Sequence, residues 1–494
     1  MEKNPTSPAP PPPGAGALSD NEYRRQRLAN LAELEKRGGR VFGGAFARTG
    51  RLADLRAQFE EGREVRAAGR IVALRPMGKS LFAHMQDASG KFQIYLKKDG
   101  VGDAAYEGFR YVDLGDHVGV EGTLFRTRTG EPTILVRAWT PLGKALRNPP
   151  EKWHGLQDVE MRYRRRYLDL VANPEVVERF IRRTAILREI RAFLEARGFL
   201  EVETPMMQPM AGGAAARPFE TFYHALNARM YLRIAPELYL KRLLVGGFDR
   251  IFELNRNFRN EGLDRSHNPE FTMLEVYEAF GDRRAMQTLV QELIVHVAQR
   301  VNGRLIAGPP DRPVDLAPPW REVTYAELIR ETAGADWEAL EVEGARARAR
   351  AKGLEIPEDW DKTAIAHEIY EKLVEKSLRQ PTFVTRLPAA LVPLARRCED
   401  DPSVVDVFEL VIDGREMAPG YSELNDPLEQ RRRLEAQARG DASKVDEDFL
   451  LALEHGMPPA GGLGLGVDRL VMLLTGADSI RDAILFPQMK EKGG

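Results

Sequence analysis

From Arg250 to Phe280 the chain reads RIFELNRNFRNEGLDRSHNPEFTMLEVYEAF, two runs of alternating residues joined by a polar loop. Side chains two apart on a strand point to the same face. Arg259 and Glu261 therefore fall on one face of the first strand, and Phe271, Met273, Glu275 and Tyr277 on one face of the second. The opposite face of the second strand carries Leu274 and Val276, as a sheet packed on a core requires. One face thus gathers a cation, carboxylates, a ring and a phenol. The loop, Gly262 to Pro269, adds Asp264, Arg265, His267 and Asn268. Arginine offers a planar fork of donors that suits phosphate and can stack on rings. A charged hairpin at a protein surface fits the same letters.

A chain of 494 residues is too long for one core and predicts two or three domains. Lys and Arg total 72 against 74 Asp and Glu, so a nucleic-acid partner would need a local basic face. The single cysteine, Cys398, excludes an intrachain disulfide and any multi-thiolate zinc site, which fits a reducing cytosol. No apolar run reaches the roughly 18 to 20 residues of a membrane span, and no secretory signal is legible. A cytoplasmic protein with no membrane association is expected.

Residues 1–18, with PAPPPPGAGA, predict a disordered proline-rich tail. Over 19–60 a helical segment shows a Leu28, Leu31, Leu34 stripe and stops at Gly38 and Gly39; its Arg24, Arg25, Arg27 and Lys36 suit RNA or a solvated face equally. Over 61–146 come five short alternating runs, with Gly90, Gly122 and Gly130 placed at turns. Such a pattern predicts a small barrel, the OB-fold among others. The linker 147–173 contains RYRRRYLDL, whose rings and guanidinium groups suit RNA or a solvated surface. The remainder, 174–494, opens with a helix capped by Asn173, Pro174 and Glu175 and running to Arg197, followed by the strand FLEVETP. Residues 301–379 read as a charged helical insertion without recognisable chemistry.

RNFRNEG followed by HNPEFTMLEVY resembles motif 2 of the class II aminoacyl-tRNA synthetases, in the wording of the bacterial-type (class IIb) lysyl-tRNA synthetases. The capped helix with FLEVETP resembles motif 1 of that class, and GGLGLGVDRLVMLL resembles motif 3. The last has G-x-G-x-G spacing and no surrounding βαβ unit, unlike a dinucleotide fingerprint. GRIVALRPMGKSLFAHMQDASGKFQIYL resembles the family's anticodon-binding OB domain. The likeness extends from about Asp20 to Lys490.

The resemblance implies an α+β fold, with an N-terminal OB-fold β-barrel and a class II catalytic domain built on an antiparallel sheet flanked by helices. It implies lysine–tRNA ligase activity: lysine and ATP give lysyl-adenylate and pyrophosphate, and lysine then passes to the 3′-terminal hydroxyl of tRNA(Lys). On this reading Gly213, Glu237, Arg259, Glu275, Tyr277 and Glu423 bind lysine. Arg259, Glu261, His267, Phe271 and Arg469 bind ATP, and Arg259 is the catalytic residue. Glu409 and Glu416 hold Mg²⁺, hard oxygen ligands for a hard cation, with about three ions per subunit. Phe82, Gln93 and Glu131 read the anticodon, and the motif 1 helix and strand build a homodimer.

This chain departs from the family's wording in places. Leu387, Ala390 and Val392 replace a phenol, an acid and a hydroxyl, and Pro419 replaces an asparagine that contributes to substrate carboxylate binding. Those departures leave open a non-catalytic tRNA-binding or regulatory paralogue. The short relative that joins a lysine analogue to a translation factor lacks the OB domain.

Overall fold

The computed structural model describes residues 20–38, 40–148, 156–210, 212–214, 216–438, 441 and 445–490. The tail predicted over 1–18 lies outside the described residues, as does the 149–155 part of the linker. The chain divides into two compact units, Met1–Arg162 with Tyr167–Val177, and Tyr163–Arg166 with Glu178–Gly494.

In the first unit, the helix Asp20–Lys36 precedes five strands: β1 (Glu64–Met77), β2 (Ser80–Asp87), β3 (Gly90–Lys97), β4 (His117–Arg126) and β5 (Pro132–Gly143). They close into a barrel in the order β1-β2-β3-β5-β4, antiparallel except for the β3/β5 pair. This is the OB-fold expected from the sequence. Alternate residues such as Ala67, Ile71, Met85, Ile94, Val120 and Ile134 fill the interior, as period-two strands closing on themselves must do. Gly122 does not sit at a turn. It lies within β4 beside a bulge, where a β-carbon would come within 2.0 Å of the Leu135 carbonyl oxygen. Arg27 is not available to RNA: it is buried, and its Nη1 donates to the carbonyls of Leu114 and Ala145.

The second unit is organised by an eight-stranded sheet. Its order is Arg321–Thr324, Thr382–Thr385, Val407–Ile412, Arg415–Ser422, Ala460–Gly466, Glu270–Ala279, Arg250–Phe258 and Leu200–Glu201. The pairs at the two ends are parallel and the six central strands antiparallel. Phe252, Leu274, Val276, Leu463 and Leu465 point from one face into a core shared with Ile186, Ile190, Val290, Ile294, Leu470 and Val471. Those partners lie on the helices Pro174–Glu195, Arg283–Asn302 and Val467–Thr475. A one-residue slip of the Glu270–Ala279 strand would put Glu275 into that core and Leu274 opposite, so burial fixes its register.

Three local expectations change. The first hairpin strand ends at Phe258, so Arg259 and Glu261 lie past it, although the Arg259 amide still donates to the Pro269 carbonyl at 2.9 Å. Residues 301–379 are not wholly helical, because Arg321–Thr324 forms an edge of the sheet. In RYRRRYLDL, Arg166 is fully buried and donates to the carbonyls of Leu485 and Arg481, at 2.9 and 2.7 Å, so it serves the fold rather than RNA. The helix from Pro174 ends at Glu195, two residues before the expected Arg197, with Gly198 in the left-handed region at φ +79°.

Candidate active site

The sheet face opposite the core carries a pocket of buried acids. Glu275 and Tyr277, two apart on one strand, are both buried, and the Tyr277 hydroxyl donates to Glu275 Oε2 at 3.1 Å. Glu237 opens the helix Glu237–Val245 immediately after Pro236. Glu423 follows the strand Arg415–Ser422 and is buried. Burial, reinforced by Glu237, holds the Glu275 carboxyl well above the usual range, and Arg259 acts against that shift. Burial pushes Glu423 up to about 7, opposed by Lys241 and assisted by Glu237.

Lys241 was not singled out in the sequence. Its ammonium is fully buried, 2.8 Å from Glu237 Oε1 and 2.6 Å from Glu423 Oε2. Among the described residues neither Glu423 oxygen has a hydrogen-bond partner, although Oε2 forms the ion pair with Lys241. Glycines let these side chains approach the backbone closely. A β-carbon on Gly462 would lie 2.0 Å from Glu423 Oε1 and 2.6 Å from the Tyr277 ring. Gly213, at φ +85°, approaches Glu237, with 3.3 Å from a built β-carbon to the Glu237 Cβ.

Glu409 and Glu416 stand on neighbouring antiparallel strands, and burial, with the charge of Glu416, pushes Glu409 up to about 8. Two residues from the segment read as featureless reach this pair. The Tyr370 hydroxyl donates to Glu409 Oε2 at 2.9 Å, and Glu375 Oε1 accepts from the Glu416 amide at 2.8 Å. Glu375 is itself raised, chiefly by burial. Among the described residues no group of three or more His, Cys, Asp and Glu side chains forms a ready metal cage. A pair of hard carboxylates still fits Mg²⁺, which retains water and shares phosphate oxygens rather than filling its shell from protein. Half-buried, with the charge of Glu416 raising Glu409, the pair would gain from a bound cation.

The residues assigned to the nucleotide flank this face. The Arg259 guanidinium lies 5.2 Å over the Phe271 ring, and its buried Nε has no hydrogen-bond partner among the described residues. Arg469, in the first turn of Val467–Thr475, donates to the Glu416 carbonyl. Its neighbour Asp468 accepts from Arg183 Nη1 at 2.6 Å and from the Thr272 amide at 2.7 Å, tying this helix to the strand that bears Phe271. Glu261 is exposed on the rim of a cleft of about 590 Å³ with Arg217 and Asn260. His267 is exposed, its Nδ1 pairing with Asp264 Oδ2 at 2.8 Å.

Pro419 stands opposite Glu409 on the neighbouring strand. The strand Arg415–Ser422 pairs with Ala460–Gly466 only through Gly420–Ser422, so the missing amide falls before that ladder begins. Leu387 is core, buried with Val405, Val407 and Val411.

On the barrel, Phe82 stacks on Tyr95 at 4.3 Å, with Phe125 6.0 Å beyond Tyr95. Gln93 pairs in register with His84 and donates to Thr133 Oγ1 at 2.8 Å. Glu131 is held by Arg56 at 2.8 Å. All three predicted anticodon residues thus lie on the β2–β3–β5 side of the barrel.

Residues 158–490 match the family model described as tRNA synthetases class II (D, K and N), and residues 65–142 match that of the OB-fold nucleic acid binding domain. The chain belongs to the class II tRNA synthetases. Among curated members of that family, a lysine–tRNA ligase of Carboxydothermus hydrogenoformans is 50% identical over 484 residues, covering 96% of this chain and 99% of the relative. One from Moorella thermoacetica is 50% identical over 483 residues with the same coverage, and one from Halalkalibacterium halodurans 48% identical over 491 residues, covering 96% and 98%.

The class II membership makes the chain an enzyme, a ligase, with a nucleic-acid-binding OB domain. It also sharpens what sequence reasoning missed in this synthetase. Lys241 carried a signal, since it lies four residues after Glu237 on one helix and so on the same face. Tyr370 and Glu375 carried none; only the tertiary fold brings them to the carboxylate pair.

Proposed function

We propose that this synthetase is a lysine–tRNA ligase, activating L-lysine with ATP and transferring it to the 3′-terminal hydroxyl of tRNA(Lys). One observation carries the amino-acid assignment: Glu423 is buried among Glu237, Glu275 and Tyr277, and among the described residues neither of its oxygens has a hydrogen-bond partner. An ammonium leaving water needs such acceptors, and a neutral or acidic side chain would leave them desolvated and unpaired. Glu275, Tyr277 and Glu423 receive the ε-ammonium. Glu237 and the Gly213 backbone receive the α-amino end, while Arg259 holds the substrate carboxylate against the α-phosphate.

That carboxylate attacks the α-phosphorus as pyrophosphate leaves. Two anions approach each other, so the site must supply preorganised positive charge. Arg259 supplies it at the reacting phosphate, and His267 and Arg469 at the outer ones. Phe271 and Arg469 sandwich adenine, with Glu261 at its edge. Glu409 and Glu416 would hold Mg²⁺, whose chemistry when bound is to draw negative charge from the triphosphate. No side chain is needed as a nucleophile, because positioning suffices.

Phe82 stacks on an anticodon base, with Gln93 and Glu131 reading base edges. A homodimer forms across the Pro174–Glu195 helix and the edge strand Leu200–Glu201, where Ile181 and Leu200 are exposed. Met206, Met207, Phe222 and Leu226 are exposed as well. In residues 20–490, no helix among those described is long and apolar enough to cross a membrane, and the activity belongs in the cytoplasm. ATP–pyrophosphate exchange across the standard amino acids tests the assignment. Exchange with lysine alone is expected; exchange with another amino acid would overturn the pocket.

A further inference from the structure

We propose that Lys241 is a specificity-determining positioning residue, a resident ammonium that fixes Glu237 and Glu423 so that their free oxygens face the substrate. The inference rests on the pocket being the lysine site and assigns a role to a residue outside the substrate contacts named above.

The geometry is one-sided. Lys241 Nζ reaches Glu237 Oε1 at 2.8 Å and Glu423 Oε2 at 2.6 Å, and donates to the Leu394 carbonyl at 3.4 Å. It is fully buried, and its ion pair with Glu423 is made at Oε2. The other, Oε1, hangs over Gly462, where a side chain would collide with it at 2.0 Å. The ion pair at Oε2 holds Glu423 from behind, so the Lys241 ammonium favours the orientation in which Oε1 meets a second ammonium in front. A buried ion pair kept for stability alone is replaceable by apolar packing, but both acids paired to Lys241 border this pocket.

Charge reaches the same conclusion. Glu237, Glu275 and Glu423 are three potential negative charges, and Lys241 with the two ammonium groups of lysine makes three positive ones. Burial alone would push Lys241 down, but Glu237 and Glu423 hold it above the ordinary lysine range, so it remains charged. Tyr277 and Tyr421 also face these acids, and both phenols are raised chiefly by burial, so they act as neutral donors. Without Lys241, Glu237 and Glu423 repel each other and Glu423, already raised by burial, holds its proton more tightly, which weakens it as an acceptor for an ammonium.

The test is ATP–pyrophosphate exchange by the full-length enzyme and its Lys241→Met variant, with lysine and ATP varied separately and pH raised from about 6.5 to about 8.5. The expected result is a lysine KM raised about tenfold or more with ATP KM within about twofold, and partial recovery of lysine KM as pH rises and the acids ionise. A lysine KM within about twofold of wild type, or an increase shared with ATP and independent of pH, overturns the proposal. Lys241→Gln, uncharged but still a donor, decides by the same readouts if the methionine variant does not fold. Wild-type enzyme that exchanges with another amino acid would instead refute the lysine-ligase reading.

Discussion

Gly462 lies directly beneath Glu423, so close that a β-carbon on the glycine would stand 2.0 Å from the Glu423 Oε1. Glu423 cannot retreat, because its other oxygen is held 2.6 Å from Lys241. Gly462→Ala is therefore expected to cost about 1–3 kcal/mol in the pocket, equivalent to about 5- to 150-fold in lysine KM. ATP KM should stay within about threefold. Exchange kinetics with each substrate varied in turn check this, and a normal lysine KM would contradict the position given to Oε1.

Glu423→Gln keeps the shape and removes the charge. A charge-assisted hydrogen bond contributes about 1.5–3 kcal/mol, so lysine KM should rise about 10- to 150-fold while ATP binding changes little. Equal losses of lysine and ATP use would remove Glu423 from the amino-acid pocket.

Lysine binding is expected to release protons near neutral pH. The raised carboxyls of Glu275 and Glu423 hold protons in the empty pocket, and an incoming ammonium favours their ionised forms. Lysine affinity should consequently rise from about pH 6 to about pH 8. The same sign governs stability. A raised folded-state acid contributes stability at low pH that is lost as pH climbs from its unfolded value to its folded one, so lysine should protect against heat more at the upper end. Calorimetry of lysine binding in phosphate and in Tris measures the released protons; identical heats after dilution correction would refute the release.

The carboxylate pair depends on its support. Removing Mg²⁺ with a chelator should abolish exchange, and Tyr370→Phe, which deletes the 2.9 Å bond to Glu409, should raise the Mg²⁺ needed for half-maximal exchange. Outer-shell partners of metal ligands typically change affinity by about 10- to 100-fold. An unchanged Mg²⁺ requirement in the variant would show that Tyr370 does not orient the ligand.

The Phe82–Tyr95 stack offers a ring face to a base. Loss of one base–aromatic stack costs about 1–3 kcal/mol. Phe82→Ala should thus lower kcat/KM for tRNA charging by about 5- to 150-fold and leave exchange untouched. A matching fall in exchange would mean that the substitution damaged more than the barrel surface.

Residues whose roles follow from alternation along one strand were legible in the sequence. Leu274 and Val276 enter the core while Glu275 and Tyr277 do not, because a period of two leaves no other choice. The barrel followed from five short runs of the same kind. Gly122 was misplaced because a glycine at a turn and a glycine beneath a crossing backbone look alike in sequence. Arg166 was misread since nothing local distinguishes a solvated arginine from one that satisfies carbonyls more than three hundred residues away. Lys241 lay within a helical turn of Glu237 and was open to inference; its approach to Glu423 depends on how the helix meets the sheet.

Asp468 makes bonds in two directions, to Arg183 on the helix that also exposes Ile181, and to Thr272 beside Phe271. It is also the residue before Arg469. Those two bonds join that long helix to both proposed walls of the adenine slot. If Ile181 meets a second copy and its docking shifts that helix, subunit association and nucleotide grip become thermodynamically linked, and each changes the other by the same factor.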